Sequence, residues 1–155
     1  MARRLLFVRT VDTSTTFEPH VARALELQVG KARVVVGIDQ VDRLIETTCS
    51  PMPMVHSLVR GIAFEDRRPI ICVVLSRKAM DPTLQRVRAV LLAGVGAVGW
   101  ALCVDQLHGV IPLVSRSTVI DERLPRWLSR VRCEDGRTLA ALDSAQMVLD
   151  IGGAR

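Results

Sequence analysis

Tyrosine is absent from this chain, and only three Phe and two Trp stand among its 155 residues. Proteins that hold single-stranded nucleic acid stack bases on aromatic side chains. The formal charge of +5 therefore reads as arginine scattered over a surface, and no nucleic-acid partner is expected. A basic β-barrel that binds nucleic acid is the minor alternative, and salt-sensitive filter binding would reveal it. Lysine is nearly missing, with only Lys31 and Lys78. No apolar run reaches the roughly 18 residues of a membrane span. The opening run Leu5-Leu6-Phe7-Val8 is cut by Arg9 and is too short for a signal peptide. The expectation is a soluble, cytoplasmic protein without membrane insertion.

Equally little is present for chemistry. The four cysteines, Cys49, Cys72, Cys103 and Cys133, form no Cys-x-x-Cys pair. Cys72 and Cys103 lie in apolar runs, as small hydrophobes of a reducing compartment do. Cys49 and His56 lack the further ligands that a metal site needs. No phosphate-binding Gly-rich loop, nucleophile elbow or His-Glu-x-x-His helix occurs. Asp39 and Asp105 could be offered as an acid–base pair, but turn hydrogen bonds are the better reading. No catalytic residue, metal or cofactor is expected; the chain reads as a binding module.

What the chain does have is a repeat. Val34-Val35-Val36-Gly37-Ile38-Asp39-Gln40 returns at an offset of 66 residues as Trp100 to Gln106, with Asp39-Gln40 meeting Asp105-Gln106. Ala24-Leu25 through Gly30 matches Val90-Leu91 through Gly96 at that offset, and Glu65-Asp66-Arg67-Arg68 matches Glu134-Asp135-Gly136-Arg137 at 69. The difference of three falls in a loop, where length is cheap.

With 49% hydrophobic residues the chain can bury a core. Residues 22–29 alternate polar and apolar, as a half-buried strand does. Gly30-Lys31 turns the chain into the β-branched run 34–38. Residues 54–60 read as a linker or short helix, Gly61–Phe64 and Pro69–Leu75 as strands around the charged turn, and Ser76–Gln85 as a connection. A second pass follows, and Asp143–Leu149 is a closing helix stopped by Gly152-Gly153. Leu5–Val11 could add an edge strand.

Each pass thus predicts five short strands, which suits a small barrel. The expected fold is mainly β: two five-stranded barrels around a shared apolar core, with short helices at loops and the C-terminus. Residues 1–20 are expected to be a partly mobile lead-in. Residues 21–150 form one domain with repeats at about 22–76 and 86–149, and 151–155 are a tail.

The pattern across about residues 22–150 resembles the CheW-like domain of bacterial chemotaxis adaptors. The residues that carry it are Leu25-x-Leu27-x-Val29-Gly30 with Val34–Ile38 and Val41; Pro53 eight residues before Gly61; the Gly61-to-Leu75 spacing; Gly99-x-x-x-x-Val104-Asp105-x-x-x-x-Val110; and Trp127-Leu128, Asp135-Gly136-Arg137 and Leu142-Asp143. The resemblance implies two SH3-like barrels and a non-enzymatic adaptor within chemosensory arrays. Its implied partners are the cytoplasmic tip of a methyl-accepting receptor, a CheA-type histidine kinase and other CheW-like proteins.

Two departures stand out. The family's Val-x-Glu reads Val41-Asp42-Arg43 here. Its hairpin Asn-Leu-Arg-Gly falls, without gaps, on Phe64-Glu65-Asp66-Arg67; the look-alike Leu58-Val59-Arg60-Gly61 would force a gap before Leu75. A reversed charge in a complementary rim repels the usual partner. The resemblance therefore implies contacts at Val41, Arg43, Asp66 and Arg67, with direct kinase coupling in doubt, and a receptor contact in the seam at Ile38, Val104, Leu107 and Val110. That describes an accessory, FrzB-like member; an ordinary adaptor bridging receptor and kinase is the alternative.

Overall fold

Along Arg23–Val29 (β1) every residue after Arg23 is buried or half-buried, so both faces of the strand are covered. A flat sheet with one wet face would leave every second residue exposed; a sheet curled into a barrel and packed against a second one would not. The computed structural model describes residues 22–52, 56–75, 86–94, 97–113 and 122–153. The lead-in, the loop at Pro53, the Ser76–Gln85 connection and the Gly94–Gly96 turn beyond Gly94 lie outside them.

Ten strands are described. After β1 come β2 (Ala32–Gly37), a 3-10 turn (Ile38–Gln40), β3 (Val41–Thr48), β4 (Val59–Glu65) and β5 (Arg68–Val73). The second pass supplies β6 (Arg86–Leu92), β7 (Gly99–Cys103), β8 (Gln106–Pro112), β9 (Leu128–Arg132) and β10 (Thr138–Leu142), and helix α1 (Ser144–Gly152) closes it. Strand β4 begins at Val59, so the expected linker at 54–60 is in part strand. Two mixed five-stranded sheets result, in the orders β8-β1-β2-β10-β9 and β3-β6-β7-β5-β4. The first is called barrel A and the second barrel B.

The repeat survives in three dimensions. The parallel ladder that places Val34 beside Ala140 and Val36 beside Leu142 has its counterpart in Trp100 beside Ile71 and Leu102 beside Val73. These are the same positions at the offsets 66 and 69. Yet the passes do not each make a barrel, which corrects the expected division at 22–76 and 86–149. Barrel B takes the contiguous strands β3 to β7, and barrel A is built from β1 and β2 with β8 to β10.

The chain therefore crosses between barrels twice, at Ile38–Gln40 and at Val104–Asp105, where the two Asp-Gln pairs stand. Both crossings are tied down. Gln40 accepts at its carbonyl from the Ala93 N–H at 2.9 Å, and its side-chain oxygen accepts from the Ser144 N–H at 2.8 Å. Asp105 donates its N–H to the Gln28 carbonyl at 2.8 Å, and its carboxylate accepts from the Gly30 N–H. Asp105 therefore has a structural role, but it bonds the β1–β2 turn 75 residues away in place of the local turn that the sequence suggested.

Three apolar clusters follow from strand alternation. Leu27, Val29, Val34 and Val36 of barrel A meet Val90, Leu92, Trp100, Leu102 and Val104 of barrel B in the seam, sealed by Met147 and Ile151 of α1. Ile45, Ile70, Val87, Leu91 and three cysteines fill barrel B. Ala24, Val35 and Val131 fill barrel A. Each aliphatic side chain so buried contributes about 1.5–3 kcal/mol. Helix α1 starts at Asp143, whose carboxylate accepts from the Gln146 N–H at 3.1 Å, the usual N-cap bond.

Each sheet is closed by a single bridge between its edges, Ser50 with Ile62 in barrel B and Leu113 with Cys133 in barrel A. Gly61 makes the first closure possible. A Cβ there would stand 2.1 Å from the Ser50 carbonyl oxygen and 2.8 Å from the Cys49 sulfur, so only glycine allows this approach.

Candidate partner-binding surface

Strand β3 is an edge strand of barrel B, and its exposed start meets the tip of the β4–β5 hairpin. Glu65 pairs with Arg68, which leaves Asp66 and Arg67 as a two-residue turn. Their φ angles of 50° and 66° are those of the hairpin turn whose hand matches strand twist. The hairpin thus falls where the ungapped alignment puts it. Leu58–Gly61 instead leads into β4.

Arg43 and Asp66 meet here. Arg43 lies 4.0 Å from the Asp66 carboxylate, 3.8 Å from Glu65 and 3.4 Å from Asp42. Asp66 is almost fully exposed, so the pairing is weak and screened by salt. Its meaning lies in arrangement: Arg43 and Asp66 belong to one ionic cluster. Val41 is half-buried against the seam, and Arg67 is exposed.

At the seam the four expected residues divide. Ile38, at the first crossing, is 43% exposed, and Val110, on edge strand β8, is 52% exposed. Val110 pairs with Leu25, which pairs with Val36. The row runs from the core out to the surface on one face of the sheet. Leu107 is half-buried against the seam. Val104 is 7% exposed and belongs to the core; it shapes the surface without lying on it.

Two exposed apolar residues escaped the sequence reading. Phe64 is 63% exposed and Leu44 is 44% exposed; they adjoin Glu65 and Arg43, the two sides of the ionic cluster. The available signal was strand parity: Ala63 and Ile45 point into barrel B, so their neighbours must point out.

Glu26 was misjudged as the polar half of a half-buried strand. It is 2% exposed because its side chain points into barrel A. Arg137 holds it through two bonds of 2.9 and 3.0 Å, and Arg33 through one of 2.8 Å. The Arg137 hydrogen bonds hold the Glu26 carboxyl below its usual range against the opposing effect of burial, with Arg33 helping. Asp135 accepts from Arg137 too, at 2.7 Å, and is lowered by the Arg137 backbone and side-chain bonds. These groups fix the two hairpins of barrel A to each other. Among the described residues no cluster of His, Cys, Asp or Glu could hold a metal ion, and no helix is long and apolar enough to cross a membrane.

No family model and no curated protein sequence matches the chain. Its architecture does have solved counterparts. The crystal structure of the scaffolding protein TtCheW from Thermoanaerobacter tengcongensis matches with a TM-score of 0.63, covering 79% of this chain and 88% of its own, at 13% identity. The fold is CheW-like: mainly β, two five-stranded sheets and a short C-terminal helix.

Proposed function

We propose that this chain is a non-enzymatic chemosensory adaptor that binds the cytoplasmic tip of a chemoreceptor. The observation that carries the reading is the CheW-like double barrel with Ile38 and Val110 exposed at one end of its seam. Apolar residues at the centre and a polar rim are what a specific interface needs. The rim would be the corner of Arg43, Asp66 and Arg67, with Phe64 beside it. Its charges are reversed relative to the family pattern, so direct coupling to a CheA-type kinase is lost, as in an accessory, FrzB-like member acting within cytoplasmic arrays.

Pull-downs with a receptor cytoplasmic fragment and, separately, with a kinase regulatory domain test the proposal. Capture by the receptor fragment alone is expected. Binding to neither bait sinks the adaptor reading, and binding to the kinase alone overturns the accessory version. One observation favours an ordinary adaptor instead. Arg43 and Asp66 still pair with each other, so the corner keeps an internal ion pair with its signs exchanged, and an equally reversed kinase would meet it. Arg43→Glu with Asp66→Arg separates the two readings: gain of binding to an ordinary kinase domain is expected if charge alone blocks it.

A further inference from the structure

The two crossings carry the same Asp-Gln pair but are anchored by different members of it. At Val104–Asp105 the aspartate does the work, bonding Gln28 and Gly30 of the β1–β2 hairpin. Gln106 there is a rung of the β1–β8 ladder, opposite Gln28. At Ile38–Gln40 the glutamine is the anchor, and its partners lie elsewhere in the fold. The Val41 N–H closes the 3-10 turn on the Ile38 carbonyl, which gives the turn its shape but not its place. Its place comes from Gln40, whose carbonyl accepts from the Ala93 N–H and whose side-chain oxygen accepts from the Ser144 N–H at 2.8 Å. Gly37 leaves room for this: a Cβ there would stand 3.0 Å from the Gln40 side-chain nitrogen and 2.8 Å from the Asp39 carboxylate.

The far end of that bond is a helix start, where the first N–H groups have no partner within the helix. Asp143 satisfies the N–H of Gln146, and Gln40 satisfies that of Ser144. Helix α1 is in turn seated in the seam by Met147 and Ile151. The turn that presents Ile38, 43% exposed, is thus braced against the helix that seals the core. We infer, on the receptor reading of Ile38, that Gln40 is a positioning residue for that contact: by tying the turn to the first N–H of α1 it holds Ile38 ready to dock. A side chain on an unbraced turn must be ordered when a partner arrives, and that ordering is subtracted from the affinity. A braced one is already in place.

The test uses the full-length protein with labelled isoleucine methyl groups, and a receptor cytoplasmic fragment as titrant. Gln40→Met keeps the length of the side chain and removes the acceptor. A more mobile Ile38 methyl and about fivefold weaker binding are expected. Ser144→Pro removes the donor from the helix side. Proline suits the first helical position, and Asp143 already holds the extended conformation that proline asks of the residue before it. It should weaken binding by a similar factor, and the double variant should bind no more weakly than either single one. Gln40→Glu keeps an acceptor at a helix N-terminus, where negative charge is favoured, and should bind like wild type. Urea unfolding is followed for each variant. A Gln40→Met protein that loses stability but keeps Ile38 order and receptor affinity overturns the inference. So do additive losses in the double variant, or a Glu variant as weak as the Met one. If wild type does not bind the fragment, the adaptor reading falls, and the Ile38 methyl alone decides whether Gln40 positions the turn.

Discussion

The two barrels share a strand order and a ladder register but not a filling. Barrel B holds Ile45, Ile70, Val87 and Leu91 with three thiols at its centre. Cys72 is flanked by Cys103 and Cys49, and its thiol is pushed up to about 12 chiefly by the bond to Cys103, with burial adding to it. That interior is lined by aliphatic and thiol side chains. Barrel A buries the smaller set Ala24, Val35, Val131 and Cys133, with Ile111, Leu113, Leu139 and Ala141 half-buried around them, and also encloses Glu26 between Arg33 and Arg137. One architecture thus tolerates either an oily interior or an ionic one. The difference is in what fails when it is disturbed: a mispacked apolar barrel costs volume, whereas an ionic one costs an uncompensated charge.

The largest effects should come from breaking each interior at its most constrained point. Glu26→Ala empties a buried site and leaves two half-exposed guanidinium groups without their shared carboxylate, and a loss of about 3 kcal/mol is expected from urea unfolding. The sharper version is Glu26→Leu with Arg137→Met, which gives barrel A the filling of barrel B. Recovery of most of the lost stability is expected; a double variant no better than Glu26→Ala would mean that the ionic filling is indispensable. In barrel B, Gly61→Ala forces a methyl against the Ser50 carbonyl. A loss of about 3 kcal/mol and faster exchange of the Ser50 and Ile62 amides are expected. Cys72→Leu tests packing alone, and overfilling should cost about 1–3 kcal/mol.

Acid should distinguish the barrels next. The Glu26 carboxyl lies lower in the folded protein than in the unfolded chain. Its contribution is therefore fully present above the unfolded value, near pH 4.3–4.5, and is lost as pH falls through the folded value. Wild type should lose stability over that range while Glu26→Gln loses less, so their difference narrows as pH drops. Parallel curves would show that Glu26 is not the titrating group. The smallest effect belongs to the hairpin corner. Arg67 holds a left-handed conformation that costs a non-glycine residue about 1–2 kcal/mol, so Arg67→Gly should raise the melting temperature slightly.

Much of this was legible in the residues. The repeat, the strand succession, the hairpin at Asp66-Arg67 and the helix start at Asp143 rest on local chemistry: parity, turn residues and caps. The assignment of strands to barrels was not legible. Val41 follows Gln40 whichever sheet the next strand joins, and only long-range pairing, such as Arg43 with Leu91, decides it. Glu26 was misjudged for the same reason, since alternation reveals a strand's two faces but not whether the polar one is wet. Among the candidate contacts, exposure could not be read for Val104 and Val110. They are both β-branched and six residues apart, and one is core while the other is surface.

The two crossings at the Asp-Gln pairs set an order of events during synthesis. Barrel B is a continuous insert, with all its strands made once Cys103 has left the ribosome. Barrel A is interrupted by that insert, and β1 and β2 must wait for Leu142 before their sheet is complete. Until then the seam side of Leu27, Val29, Val34 and Val36 has only the finished insert to lie against. Barrel B should therefore act as the template on which the earlier-made hairpin is stored. A nascent chain stalled once Cys103 has emerged from the ribosome should show a protected insert, with β1 and β2 more open to protease than in the finished protein.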